Sequence, residues 1–329
     1  MKRFCLIGEH LSHSLSAVIH ARLFELLEIE GSYDLRELST AEAGSAAARL
    51  AGEGYDGFNV TIPYKEVILP QLRGLSPEAA AIGAVNTVAM VRPALQKAEG
   101  ALPRPSPAAS DAQASEEMYG YNTDYAGFGR MLESAGIDPR GGVAAVLGTG
   151  GAYRAVAAYL LDQGVERLYA VTRSPAQGLG RAALPGWKDD NRLLAIGYDA
   201  LEHISGTLLV NATPVGMFPN TQSCPVGPRI LSQFDAAADL IYNPRETEFL
   251  RQARLAGKPA VNGLTMLVAQ AVAAEEIWLG RSIDPAVTRS LVDELSMRFC
   301  GEVWFERQEK YPSYRAAGMR KVHGGGPRG

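Results

Sequence analysis

The 329-residue sequence contains only three cysteines, Cys5, Cys224 and Cys300, set so far apart that no CxxC or other metal-ligand spacing arises. A zinc alcohol dehydrogenase is thereby disfavoured, and the thiols are expected to be reduced. Histidine is also scarce, with five residues and no HExxH pair. His10 and His13 lie close together, yet no carboxylate or thiol set completes a site with them, so no metal is expected. An excess of positive charge is missing too. The 32 Lys and Arg stand against 36 Asp and Glu, a net charge of -4, without a cationic stripe to neutralise phosphates along a nucleic acid. Nucleic acid is not an expected partner. Nor does any run approach the roughly 18 apolar residues that span a bilayer. From Met1-Lys2-Arg3 the chain enters a strand-like run at 4–7 rather than a signal peptide, so the expectation is a cytoplasmic enzyme with no membrane partner.

The length exceeds that of one typical domain, and two are expected. Strand signals at 4–8, 33–38, 57–61 and 84–91 alternate with helical periodicity at 17–28 and 41–53, which implies an α/β layer with a mostly parallel sheet. From 93 to 117 the composition turns to Pro, Ala and Ser, too poor in large apolar groups to offset its ordering entropy. A mobile insert between two strands is expected there. Structure resumes at Met118, with a helix over 125–135. Strands at 143–147, 167–172, 207–211, 237–241 and 259–261 and a helix at 153–163 then form a doubly wound, Rossmann-like nucleotide-binding pattern. After Asn262-Gly263 a long amphipathic region runs to 305, and the Gly-rich tail at 306–329 reads as disordered.

The strand at 143–147 leads into Gly148-Thr149-Gly150-Gly151-Ala152 and then a helix, the context in which backbone amides can approach a pyrophosphate. Alone, this turn could equally be an ordinary tight one. Tyr153 occupies the usual third-glycine position, so helix and strand must pack differently there. The next strand ends at Thr172-Arg173-Ser174, where NAD-specific folds place a carboxylate for the ribose hydroxyls. Arg173 instead offers a planar cation suited to a 2'-phosphate, and NADP is the expected cofactor. A solvated surface arginine is the bland alternative.

A polar set gathers at strand and loop ends of the first half: Ser14 and Ser16; Asn59, Thr61 and Lys65; Asn86 and Thr87; Asn122, Thr123 and Asp124. Duller roles exist for each. Ser16 could cap the helix that begins at Ala17, Asp124 or Thr123 could cap the helix after it, and Lys65 could be a solvated lysine.

The order of these pieces nevertheless resembles one family. His13-Ser14-Leu15-Ser16, Gly57 with Asn59-Val60-Thr61-Ile62-Pro63-Tyr64-Lys65, Gly83-Ala84-Val85-Asn86-Thr87 and Tyr121-Asn122-Thr123-Asp124 are similar to motifs of the shikimate dehydrogenases. So are the glycine turn, Asn211-Ala212-Thr213-Pro214-Val215-Gly216-Met217, Asp239-Leu240-Ile241-Tyr242-Asn243-Pro244 with Thr247, and the run from Asn262 to Gln270. The likeness extends from Phe4 to about Trp278. It implies an NADP-dependent dehydrogenase acting on the small molecules shikimate and 3-dehydroshikimate, as a monomer or homodimer. A quinate or dual quinate/shikimate dehydrogenase using NAD is the alternative within the class, and a non-catalytic sensor of the same ligands is the alternative outside it.

By the same resemblance, Ser14, Ser16, Thr61, Asn86, Asp124 and Gln270 hold the carboxylate and hydroxyls of the substrate, and Lys65 and Asp124 flank the reacting carbon. Tyr242 lines the cleft. Ile241, Gly263 and Met266 join the glycine turn and residues 172–174 on the cofactor side. A substrate domain (1–124 with 262–305) would enclose a cofactor domain (125–261). The chain departs from the family at Gly8-Glu9-His10, where Gly-x-Pro is common, at Thr172-Arg173-Ser174, where many members have Asn-Arg-Thr, and in its longer 93–117 segment.

Overall fold

The seven residues of β1 (Lys2–Gly8) include a run of five buried residues, as expected of a strand with neighbours on both edges. The computed structural model describes residues 1–12, 14–91, 117–177, 179–180 and 183–298. The 306–329 tail, all but the last residue of the 93–117 insert, and His13 fall outside them.

β1 pairs in parallel with β2 (Gly31–Glu37) and β3 (Gly57–Val60). β5 (Thr87–Val91) runs antiparallel to β3 and to β6 (Glu117–Tyr121), and β4 (Gly74–Leu75) closes the far edge parallel to β6. The sheet order is β2-β1-β3-β5-β6-β4, so the expected mostly parallel sheet carries one reversed strand. α1 (Ser16–Leu26) is shorter than its expected helix because Glu28 takes φ +54°, outside helical space. The helix expected at 41–53 divides into α2 (Thr40–Ala43) and α3 (Ala46–Gly52) at Gly44-Ser45, residues that favour leaving a helix. α4 (Pro77–Ile82) follows β4, and Ser76 caps it.

After α5 (Thr123–Ser134) comes the second sheet: β7 (Val143–Leu147), β8 (Arg167–Val171), β9 (Leu193–Ile196), β10 (Gly206–Asn211), β11 (Phe234–Asp239) and β12 (Ala260–Val261). Every pairing is parallel, in the order β12-β11-β10-β7-β8-β9. That is the doubly wound arrangement, whose strand order reverses between β7 and β10. α5 and α6 (Tyr153–Asp162) cover one face through Phe128, Leu132, Val156 and Leu160. α8 (Pro228–Ser232) and α9 (Glu248–Leu255) cover the other, with α7 (Tyr198–Leu201) preceding β10. β9 escaped the sequence reading because it is a four-residue edge strand with exposed Leu194.

The region after Asn262 is two helices, α10 (Leu264–Leu279) and α11 (Pro285–Arg298), separated at Gly280, which has φ +64°. α10 is not amphipathic. Val268, Ala269, Ala271, Val272 and Ala274 are all buried, as in a helix enclosed on several sides. One side meets α5 so closely that a Cβ on Gly127 would lie 2.8 Å from the Met266 carbonyl oxygen. At its far end Trp278 stacks on Phe4 at 4.2 Å and donates to the Val88 carbonyl at 3.0 Å, which ties α10 to the first sheet.

Candidate active site

A cavity of about 660 Å³ opens between the two sheets. Its first wall begins with Thr61, whose N–H donates to the Ile7 carbonyl at 2.9 Å, so the chain leaves β3 along a fixed path. Tyr64 is buried and donates to the Leu38 carbonyl at 2.6 Å, anchoring the turn beneath Lys65. Lys65 Nζ thereby reaches Asp124 Oδ2 at 2.5 Å, with both side chains largely but not wholly shielded from solvent. Asp124 lies in the first turn of α5, yet no side chain caps that helix. The capping role therefore does not account for Asp124 or Thr123. An ammonium and a carboxylate held together at a cavity wall can donate a proton and keep the donor oriented.

Asn86, immediately before β5, accepts at Oδ1 from the Thr123 N–H at 2.7 Å and from the Thr123 and Thr87 hydroxyls, each at 3.1 Å. The carbonyl end of its amide is thus occupied. Its NH2 is the end available to a ligand. Ser14 and Ser16 line the cavity at the start of α1, with Ser14 Oγ 3.1 Å from Ser16 Oγ. Neither caps α1, because Ser16 is already helical and Leu15 is the N-cap. Hydroxyls and open N–H groups at a helix start suit an anion such as a carboxylate. Thr61, Tyr242 and Gln270 complete the wall, so all eight residues expected to hold substrate face one space. Asn59, a member of the polar set, also lines it, as do Leu240, Met217 and His10, to which sequence reasoning assigned no site role.

Most of the residues expected on the cofactor side fall either on this cavity or on the turns after β7 and β8. Ala152, Gly263 and Met266 line the cavity. Ile241 does not; its side chain is buried and the neighbouring Leu240 faces the space instead. Alternation along an extended chain sends adjacent side chains to opposite sides, which motif matching alone does not resolve. Gly148, Thr149, Gly150 and Gly151 follow β7 at the strand-order reversal. Thr172, Arg173 and Ser174 follow β8, its hydrogen-bonded neighbour.

The cofactor groups fit a dinucleotide. Gly148 takes φ +87°, and a Cβ there would lie 2.7 Å from Thr213 Cγ2, whereas Gly150 has open space where a side chain would stand. The ten-residue α6 begins directly after the turn without a side-chain cap, leaving its N-terminus to an anion. Tyr153 solves the packing that a third glycine would otherwise allow by turning its ring wholly into the core under the sheet. Arg173 is exposed and forms no ion pair among the described residues, and the Thr172 hydroxyl accepts from the Ser174 N–H at 3.3 Å.

A buried polar knot braces the switch-point loops. Asp239 accepts from the Thr247 hydroxyl at 2.6 Å, from the Ile241 N–H at 3.0 Å and from Asn211 Nδ2 at 3.1 Å, while Asn211 Oδ1 accepts from the Thr213 N–H and hydroxyl. Burial pushes the Asp239 carboxyl up to about 6 against these three donors, which draw it back down. This folded value exceeds that of an unfolded aspartate, about 3.9, so protonation favours the fold. The stabilisation is complete below the unfolded value and is lost as the pH rises through the folded one. Relative to Asp239→Asn, the wild type is expected to lose on the order of 2 kcal/mol of unfolding free energy between about pH 4 and about pH 7.5. Denaturant titrations of both proteins at the two ends of this range measure it, and a constant difference would refute it.

Residues 6–88 match the family description "Shikimate dehydrogenase substrate binding domain", and residues 263–292 match "Shikimate 5'-dehydrogenase C-terminal domain". A shikimate dehydrogenase (NADP(+)) of Clostridium beijerinckii is 40% identical over 291 residues, covering 88% of this chain and 97% of that relative. The crystal structure of shikimate dehydrogenase 1 from Peptoclostridium difficile is 41% identical, with a TM-score of 0.72, covering 92% of this chain and 100% of that one. The Thermus thermophilus enzyme, solved with NADP(H) and shikimate, is 33% identical with a TM-score of 0.72, covering 89% and 99%.

Proposed function

The chain belongs to the shikimate dehydrogenase family, and from that premise we propose that it interconverts shikimate and 3-dehydroshikimate using NADP. The observation that carries this reading is the Lys65–Asp124 pair, 2.5 Å apart in the wall of a cavity lined by Ser14, Ser16, Asn86 and Gln270. Bound NADP supplies hydride exchange at the ring carbon. In the reduction direction the Lys65 ammonium donates its proton to the carbonyl oxygen as negative charge grows there, and Asp124 keeps the ammonium aimed. In oxidation Lys65 takes that proton back. The Asn86 NH2 and the hydroxyls of Ser14, Ser16 and Thr61 bind and orient the ring, with Tyr242 and Gln270 closing the wall. The glycine turn and the α6 N-terminus would hold the pyrophosphate, and Arg173 the 2'-phosphate. Gly263 and Met266 would face the nicotinamide.

The reading also assigns residues 1–124 and 262–305 to a substrate domain and 125–261 to a cofactor domain, in a cytoplasmic enzyme; residues 299–305 lie outside those described. The packing of α10 on the first sheet through Trp278 supports that grouping. No helix among the described residues is long and apolar enough to cross a membrane. A non-catalytic sensor would have no chemical use for the ion pair. Steady-state rates with shikimate and quinate, each with NAD and NADP, test the proposal. Shikimate with NADP is expected to give the highest kcat/KM, and a preference for quinate with NAD would overturn it.

A further inference from the structure

Behind the substrate wall lies a polar chain that the reaction itself does not use. Tyr33, on β2, is buried, and its phenol donates to Asn59 Oδ1 at 2.6 Å. That bond fixes which way the Asn59 amide faces. Its Nδ2 then donates to the Asn86 carbonyl oxygen at 3.1 Å and to Thr87 Oγ1 at 3.0 Å. Thr87 passes the contact on, donating to Asn86 Oδ1 and lying 3.1 Å from the Thr123 hydroxyl, beside Asp124. A reversed Asn59 amide would set its oxygen against the Asn86 carbonyl, so the orientation is not interchangeable. The ring cannot swing away, because His20 stacks on it at 4.1 Å with planes 7° apart and is itself held by Glu275 at 2.7 Å.

We infer that Tyr33 is a positioning residue for substrate binding: through Asn59 it aims the Asn86 amide into the cavity without touching the ligand. Asn59 lines the cavity but is nearly fully buried, and its oxygen and both amide protons already have protein partners. It therefore serves as the link and not as a further substrate donor. The inference rests on the reading of the preceding subsection.

Tyr33→Phe keeps the ring and its stack on His20 while deleting the single donor. The expected result is a KM for shikimate raised about tenfold, the scale of one misdirected hydrogen bond, with the KM for NADP unchanged and kcat within about threefold. Because the effect passes through Asn86, Tyr33→Phe added to Asn86→Ala is expected to raise KM no further than Asn86→Ala alone. An unmoved KM, equal changes for both ligands, or the same multiple in the Asn86→Ala background would overturn the inference. The side-chain amide NMR signals of Asn59 and Asn86 in the ligand-free protein give a readout independent of turnover. They are expected to shift in Tyr33→Phe, and unmoved signals would also overturn it. Failure of the wild type to oxidise shikimate would instead count against the proposed activity, which keeps the two failures distinct.

Discussion

Replacing Lys65 with alanine is expected to lower kcat for shikimate oxidation by on the order of a hundredfold or more while NADP still binds, the usual scale for losing a positioned general acid/base. The size follows from geometry. Lys65 Nζ is bonded to Asp124 Oδ2 at the cavity wall, and no other lysine or arginine among the described residues lines that space. Truncation at Cβ removes the proton donor, and the turns after β7 and β8 that would hold the cofactor are untouched. Nucleotide affinity measured by calorimetry separates the chemical defect from a folding defect. Turnover at the wild-type rate would refute the assignment, and loss of NADP binding as well would point to a collapsed fold instead.

Arg173→Ala is expected to raise the KM for NADP by about tenfold to a hundredfold and to leave the KM for NAD nearly unchanged, since hydrogen bonds to charged groups contribute about 1.5–3 kcal/mol. Arg173 is exposed beyond β8 without an ionic partner among the described residues, so its removal orphans no buried group. The two cofactors differ at the 2'-phosphate, and steady-state titrations with each isolate that contact. Equal losses for both would show that the side chain serves the loop rather than the phosphate.

How far the sequence could be read depended on whether a feature is local. The β7–turn–α6 unit was legible because its apolar strand, glycines and helix are contiguous, and the doubly wound order followed from repeating it. Lys65 and Asp124 were legible only through motif order, since 59 positions separate them and no periodicity links them. Asn59 stood in a recognised motif, but its role depends on Tyr33, which is 26 positions away on a different strand. Ile241, expected on the cofactor side, is buried, and its neighbour Leu240 lines the cavity. Motif matching identifies a segment, and only the backbone path determines which of two neighbours turns toward the cavity. The edge strand β9 and the break at Gly44-Ser45 were lost to weak local signals that tertiary pairing and capping override.

The enclosed helix α10 has a mechanical consequence. Met266, near its start, and Gln270, one turn on, belong to the same rigid rod whose distal end Trp278 pins to the first sheet. Their separation along the axis stays near 6 Å however the two sheets pivot. Met266 itself packs into the core of the second sheet, so the one rod is held by the second layer at its start and by the first at its end. The distance between the side chain expected beside the nicotinamide and the one expected on the substrate ring is therefore set by a single helix rather than by how the two layers meet.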